Sequence, residues 1–214
     1  MQARNSASEQ AGQPAGRTFT ESARRAQIVQ AAIEVIADHG YANASFTKIA
    51  KQAGLSSTGM ISYHFSGKDD LMGEVVAEVL RLAAAHMLPV IGAAEGFSGR
   101  LRAYIESNIA LLQLYPKHLL AVTEVLGNLK GDTPQSVGFA QSQRATLDAQ
   151  VQIMRTAQAA GVFRDFDPEV MALAIRGAID AVVVRCVTDP SLDSAAYGRE
   201  LADIFDLATR STQT

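Results

Sequence analysis

The sequence predicts an all-helical protein. Proline is sparse, with 6 among 214 residues. No alternating run of β-branched residues bounded by turn pairs occurs, whereas apolar residues recur at helical spacing. Hydrophobic residues make up 48% of the chain, enough to build a sizeable core. About nine helices are expected: one at the amino-terminal end followed by two short ones, a long fourth, and five more in the remainder.

The first helix begins after Thr20 or Glu21. Ile28, Ala31, Ala32, Val35 and Ile36 fall at i, i+3, i+4, i+7 and i+8, one apolar stripe. Gly40 ends it, because glycine takes the left-handed conformation at low cost. In the polar link at 41–45, Ser45 is placed to cap a second helix over 46–53 by accepting a backbone N–H. Gly54-Leu55-Ser56 makes a tight turn, with a capping hydroxyl of its own, into a third helix over 57–65. Two helices this short bury little area between themselves, so the first must cover them. The small core expected is Ile28, Ala32, Val35, Ile49, Ala53, Leu55, Ile61 and Phe65. This is the pattern of a helix-turn-helix unit, whose second helix enters a major groove.

A fourth helix starts at Ser66-Gly67-Lys68, with Ser66 and Asp69 at capping-box spacing, and runs to about Met87, before Pro89. The glycine-containing link through residue 99 follows no strand, so Gly92, Gly96 and Gly99 make no phosphate loop. Further helices are expected over 98–114, stopped by Pro116, and over 117–129. A loop at 130–138 leads to a long helix over 139–160, stopped by Gly161. Asp167 caps the next, with Pro168 in its first turn, and that helix runs to about Val187. The last covers 194–210.

Net charge is −3, but it is unevenly spread. Residues 1–68 carry seven Lys or Arg against four Asp or Glu, and residues 69–214 carry twelve against eighteen. A modestly basic front and an acidic remainder suit a first part that meets phosphate and a second that does not. Cys186 is the only cysteine, so no internal disulfide and no cysteine zinc site can form. His39, His64, His86 and His118 show no ligand spacing, and no metal or cofactor signature occurs. Ser, His and Asp are present without a motif that gathers them, so catalytic residues are not expected and the chain is not read as an enzyme. Residues 1–19 read as a disordered tail, whose Arg4 and Arg17 could reach a minor groove or stay solvated. Met1–Arg17 lacks the apolar stretch of a signal peptide. No run is expected to span a bilayer, since Arg176, Asp180 and Arg185 interrupt the most apolar segment. A cytoplasmic protein without a membrane partner is expected.

Two stretches carry a family resemblance. "ARRAQIVQAAIEVIADHGYANASFTKIAKQAGLS" has a first helix, a Gly-aromatic link, an Ile-Ala pair and an Ala-Gly-hydrophobic-Ser turn, and "YHFSGKDDL" adds His-Phe, Lys and Leu landmarks. Over about Ala23 to Val79 the chain resembles the TetR family of bacterial transcription regulators; beyond that it is similar only in helix number and order. The resemblance implies a DNA-binding domain over 20–66, joined by the fourth helix to an effector-binding and dimerisation domain over 67–214. One departure affects register: Gly54 and Gly59 enclose four residues where the family usually has three, so either the helix start shifts or the turn bulges.

Aligned on His64-Phe65 and Lys68, the family's DNA contacts fall on Thr47, Thr58, Gly59, Met60, Ser62, Tyr63, His64 and Lys68, with Ser45 bringing a helix N-terminus near the backbone. These residue types suit the task. Thr47, Ser62 and Tyr63 offer hydroxyls, Lys68 a phosphate partner, Gly59 close approach, and Met60 an apolar surface for thymine methyls. For three of them a structural role stays open: His64 at the core edge, Tyr63 packed on the fourth helix, Met60 in the core. No arginine is available to take guanine, so DNA shape should share in specificity.

The resemblance also implies a homodimer on a palindromic double-stranded operator, formed by the last two helices. Ala172, Ala174, Gly177, Ala178 and Ala181 would allow close approach there, joined by Ile204, Phe205 and Leu207. It further implies a small-molecule effector among the middle helices. Polar residues stranded there are Asn108, His118, Thr123, Glu124, Gln152, Arg155 and Arg176, and Tyr104, Tyr115, Met154 and Phe163 supply apolar lining. Repression is the family's usual mode. The alternatives are an effector-independent DNA-binding protein and, less favoured, an all-helical enzyme.

Overall fold

In the computed structural model, residues 19–128 and 134–211 are described, and among them there are nine α-helices and no strand. The predicted tail, with Arg4 and Arg17, lies outside the described residues apart from Phe19, as do residues 130–133 of the predicted loop. The helices are α1 (Phe19–His39), α2 (Phe46–Gln52), α3 (Gly59–His64), α4 (Lys68–Ala93), α5 (Gly96–Leu114), α6 (Pro116–Asn128), α7 (Pro134–Ala159), α8 (Pro168–Thr188) and α9 (Ser194–Thr209).

Local signals set most of the boundaries. Gly40 ends α1 at φ 77°, a conformation that favours glycine. Ser45 accepts the Lys48 N–H at 3.3 Å and caps α2. Asp167 accepts the N–H groups of Glu169 and Val170 and caps α8, and Asp193 accepts that of Ala196 and caps α9.

Several boundaries differ from expectation. α3 has six residues rather than nine. Gly54 turns at φ 64° and the Leu55 N–H returns to the Ala50 carbonyl at 2.8 Å. The chain then needs Ser56, Ser57 and Thr58 to reach the start of α3, so the additional residue lies in the turn. No side chain caps α3. At the head of α4 the expected Ser66–Asp69 pair is shifted by one, since Asp70 accepts from the Ser66 N–H at 2.9 Å. α4 continues through Pro89 to Ala93, because packing against α5 holds it where one backbone hydrogen bond is lost. α7 begins at Pro134, whose missing N–H is harmless in a first turn.

Two apolar clusters form. The expected head core is present, with Ile28, Ala32, Val35, Ile49, Ala53, Ile61 and Phe65 buried and Leu55 half-buried. It extends into Leu71, Met72, Val75, Val76 and Val79 of α4 and Ala121 and Val125 of α6. The second cluster joins α5, α7, α8 and α9 around Ile105, Ile109, Met154, Ile175, Ile179 and Phe205. Gly198 lets α9 approach α5 closely, since a Cβ there would stand 3.4 Å from Ile109. By length and composition α4 meets the requirement for a membrane span, which corrects the expectation that no run does. Its first turns bury apolar side chains against the head.

Candidate nucleic-acid interface and effector region

The head presents α3 through a clamp behind it. Arg25 lies three residues before Ile28, on the buried stripe of α1, and is only 9% exposed. Its guanidinium donates to the His64 carbonyl, pairs with Glu74 at 2.5 Å, and sits 4.2 Å from the centre of the Phe65 ring. The last turn of α3 is thereby fixed to α1 and α4. Gln27 adds a bond to the Ala53 carbonyl at 2.7 Å, closing the end of α2.

Ser45, Thr47, Gly59, Met60, Ser62 and Tyr63 are exposed, whereas Thr58, His64 and Lys68 are half-buried. Tyr63 is 72% exposed, so it does not pack on α4; its hydroxyl lies 3.4 Å from Glu21 and its ring meets the His64 ring edge-on. Met60, 37% exposed, stays out of the core. Lys68 turns inward: its Nζ donates to the Tyr41 carbonyl at 2.9 Å and lies 4.1 Å from the centre of the Tyr41 ring. An ammonium has three donors, so this clamp leaves capacity for a further acceptor. Burial, and then the Asp69 carboxylate, raise the Tyr41 phenol above its ordinary range.

The residues named for an effector do not all converge. Glu124 reaches the head instead, accepting the Tyr41 N–H at 3.0 Å, and Lys117 meets Asp38 at 2.9 Å, so α6 holds the C-terminal end of α1 at two points. Gln152 and Arg155 are exposed on α7. His118 packs edge-on against Tyr115, which also meets His86; burial lowers the His118 pKa, against a weaker upward pull from Glu34. Tyr104, Asn108 and Arg176 come together where α5 meets α8. Asn108 donates to the Tyr104 carbonyl at 2.8 Å and accepts from Arg176 at 3.3 Å. A cleft of about 350 Å³ lies between α4 and the start of α7, lined by Asp70, Glu74, Leu80 and Phe139 among others and by none of the residues named for an effector.

Arg25, Gln27 and Glu74 went unrecognised in the sequence. The available signal was a charged residue on an apolar stripe: Arg25 occupies a core position of α1, and such a charge needs a partner. Among the described residues no group of three or more His, Cys, Asp or Glu side chains could hold a metal.

A trihelical head with an exposed third helix, seated on a long fourth helix and a helical body, defines a helix-turn-helix protein. Residues 28–75, the head and the opening of α4, match the family described as "Bacterial regulatory proteins, tetR family". It is 46% identical over 57 residues to the HTH-type transcriptional regulator BetI 1 of Chromohalobacter salexigens, covering 27% of this chain and 28% of that protein. The chain spans less than half the length of the curated relatives it matches. Among solved structures, a putative transcriptional regulator from Saccharomonospora viridis in complex with choline superposes with a TM-score of 0.74 at 23% identity, covering 89% of this chain and 99% of that one. AibR in complex with isovaleryl coenzyme A and operator DNA gives 0.70 at 20% identity, covering 85% and 97%. At such identities the likeness is one of fold.

Proposed function

We propose that the chain is a ligand-responsive DNA-binding transcriptional regulator: a cytoplasmic repressor that binds a palindromic operator as a homodimer and is released by a small molecule. The observation that carries this is the clamped, outward-facing α3. Arg25 secures its back, and Met60, Ser62 and Tyr63 are left for a major groove. Thr47 and the Ser45-capped end of α2 flank that surface and would meet the phosphate backbone. The head over 20–66 reads DNA, and 67–214 senses and pairs.

A head this small gains affinity by acting in pairs, on half-sites about 34 Å apart. Supporting the pairing surface, α8 and α9 expose Val170, Leu173, Val184, Ile204 and Leu207. Ala174, Gly177 and Ala181 are exposed between them, while Ala172 and Phe205 belong to the internal core.

Release is a linkage. An effector that favours a wrongly spaced pair of heads weakens DNA binding, and DNA weakens effector binding by the same factor. A 100-fold loss of operator affinity requires about 2.7 kcal/mol of differential binding. α4 joins head to body and would carry the shift, with α6 as a second attachment. Selection of bound fragments from random DNA tests the proposal: an inverted repeat with fixed half-site spacing is expected, and recovery of no enriched repeat at low ionic strength would refute it.

A further inference from the structure

We infer that the effector site is built around Arg176 and takes an apolar molecule ending in a carboxylate or acyl carbonyl oxygen, not an organic cation. This rests on the proposal that the chain senses a ligand. Among the described residues, the Arg176 Nε is the one buried side-chain nitrogen or oxygen that lacks a hydrogen-bond partner. The rest of the guanidinium is held. One terminal nitrogen donates to Asn108 at 3.3 Å, and the other pairs with Asp180 at 2.6 Å. Asn108 is in turn anchored on the Tyr104 carbonyl. The guanidinium is therefore held in orientation at both terminal nitrogens while its buried Nε donor stays unused.

A buried donor without an acceptor is costly, and a bound oxygen would recover that cost. The surroundings suit an apolar tail. Tyr104, Leu112 and Val183 are half-buried against the second cluster, and Val183 follows Arg176 by two helical turns on the same side of α8. A cation brought to this point would meet the guanidinium's own positive charge. Asp180 is the exposed partner, at 61%, so an incoming carboxylate competes with it and can displace it into water.

The test uses full-length protein and four probes: decanoate, decanoyl coenzyme A, decyltrimethylammonium and choline. Binding is followed by calorimetry, and DNA release from a selected operator by anisotropy. Decanoate or its thioester should bind and release DNA; decanoate alone identifies a free acid as the source, the thioester alone an acyl carrier. Arg176→Lys, which keeps the charge but loses the Nε donor, should weaken that binding at least tenfold. Asp180→Asn, at an exposed position, should tighten decanoate several-fold. Circular dichroism verifies folding of both. The inference is overturned if neither acyl probe binds while operator binding is intact, if a cation binds more tightly than both, or if Asp180→Asn leaves acyl affinity unchanged. Failure of operator binding itself would instead remove the regulatory proposal.

Discussion

Arg25 and Glu74 meet at 2.5 Å behind the last turn of α3, although 49 residues separate them in the chain. Because Arg25 also holds the His64 carbonyl and covers Phe65, its loss should reach both folding and DNA binding. Arg25→Ala is expected to cost about 2 kcal/mol, the scale of a charged hydrogen bond. Urea denaturation measures this. Glu74 is 41% exposed, so Glu74→Gln should cost less.

Lys68 belongs both to the head's packing and to its DNA-facing edge. Lys68→Ala should weaken binding to all DNA sequences alike and reduce the salt slope by about one unit. It should also lower the thermal midpoint, since the Tyr41 clamp is lost. Tyr63→Ala, at an exposed position, should weaken DNA binding with little change in that midpoint. Salt titrations of operator binding, paired with melting curves, separate the two effects.

The α6–head tie is open to hydrogen exchange. In Glu124→Ala the Tyr41 amide loses its acceptor, so its protection should fall while amides in the middle of α1 keep theirs. The expected loss of stability is about 1 kcal/mol.

His118 gives a pH dependence of known sign. Burial lowers its pKa in the folded chain, so the unfolded chain binds the proton more readily. The contribution is complete above the ordinary histidine value of about 6.5 and declines as pH falls through the lower folded value. Urea midpoints between pH 7.5 and 5 should fall, and His118→Phe should flatten that fall.

Pairing through α8 and α9 predicts that Leu173→Asp with Val184→Asp gives a monomer with helix content intact, since both side chains are more than half exposed in the single chain. Sedimentation velocity and circular dichroism decide it. The monomer should bind a full operator far more weakly than the parent.

The parts of this fold legible in the sequence are those written locally. Ser45, Asp167, Gly40 and Gly161 mark helix ends through contacts within four residues or through their own backbone freedom. The stripe of α1 needed only its period. Pro89 misled because its cost is local while the packing of α4 on α5 that overrides it is not. The Arg25 clamp joins residues 39 and 49 apart, a separation no spacing rule reaches. Polar residues in apolar stretches marked Asn108 and Arg176, which do meet, and equally Glu124 and Gln152, which do not. A stranded polar group shows that some partner is required without saying which face of the helix will supply it.

The head's interior does not close at Ser66. Its apolar residues are shared with the opening turns of α4 and with Ala121 and Val125 of α6. Grafting this reader onto another regulator would therefore require transplanting the first three turns of α4 and supplying a shape-matched surrogate for α6. A graft cut at the start of α4 would leave part of that shared apolar interior bare and prone to self-association.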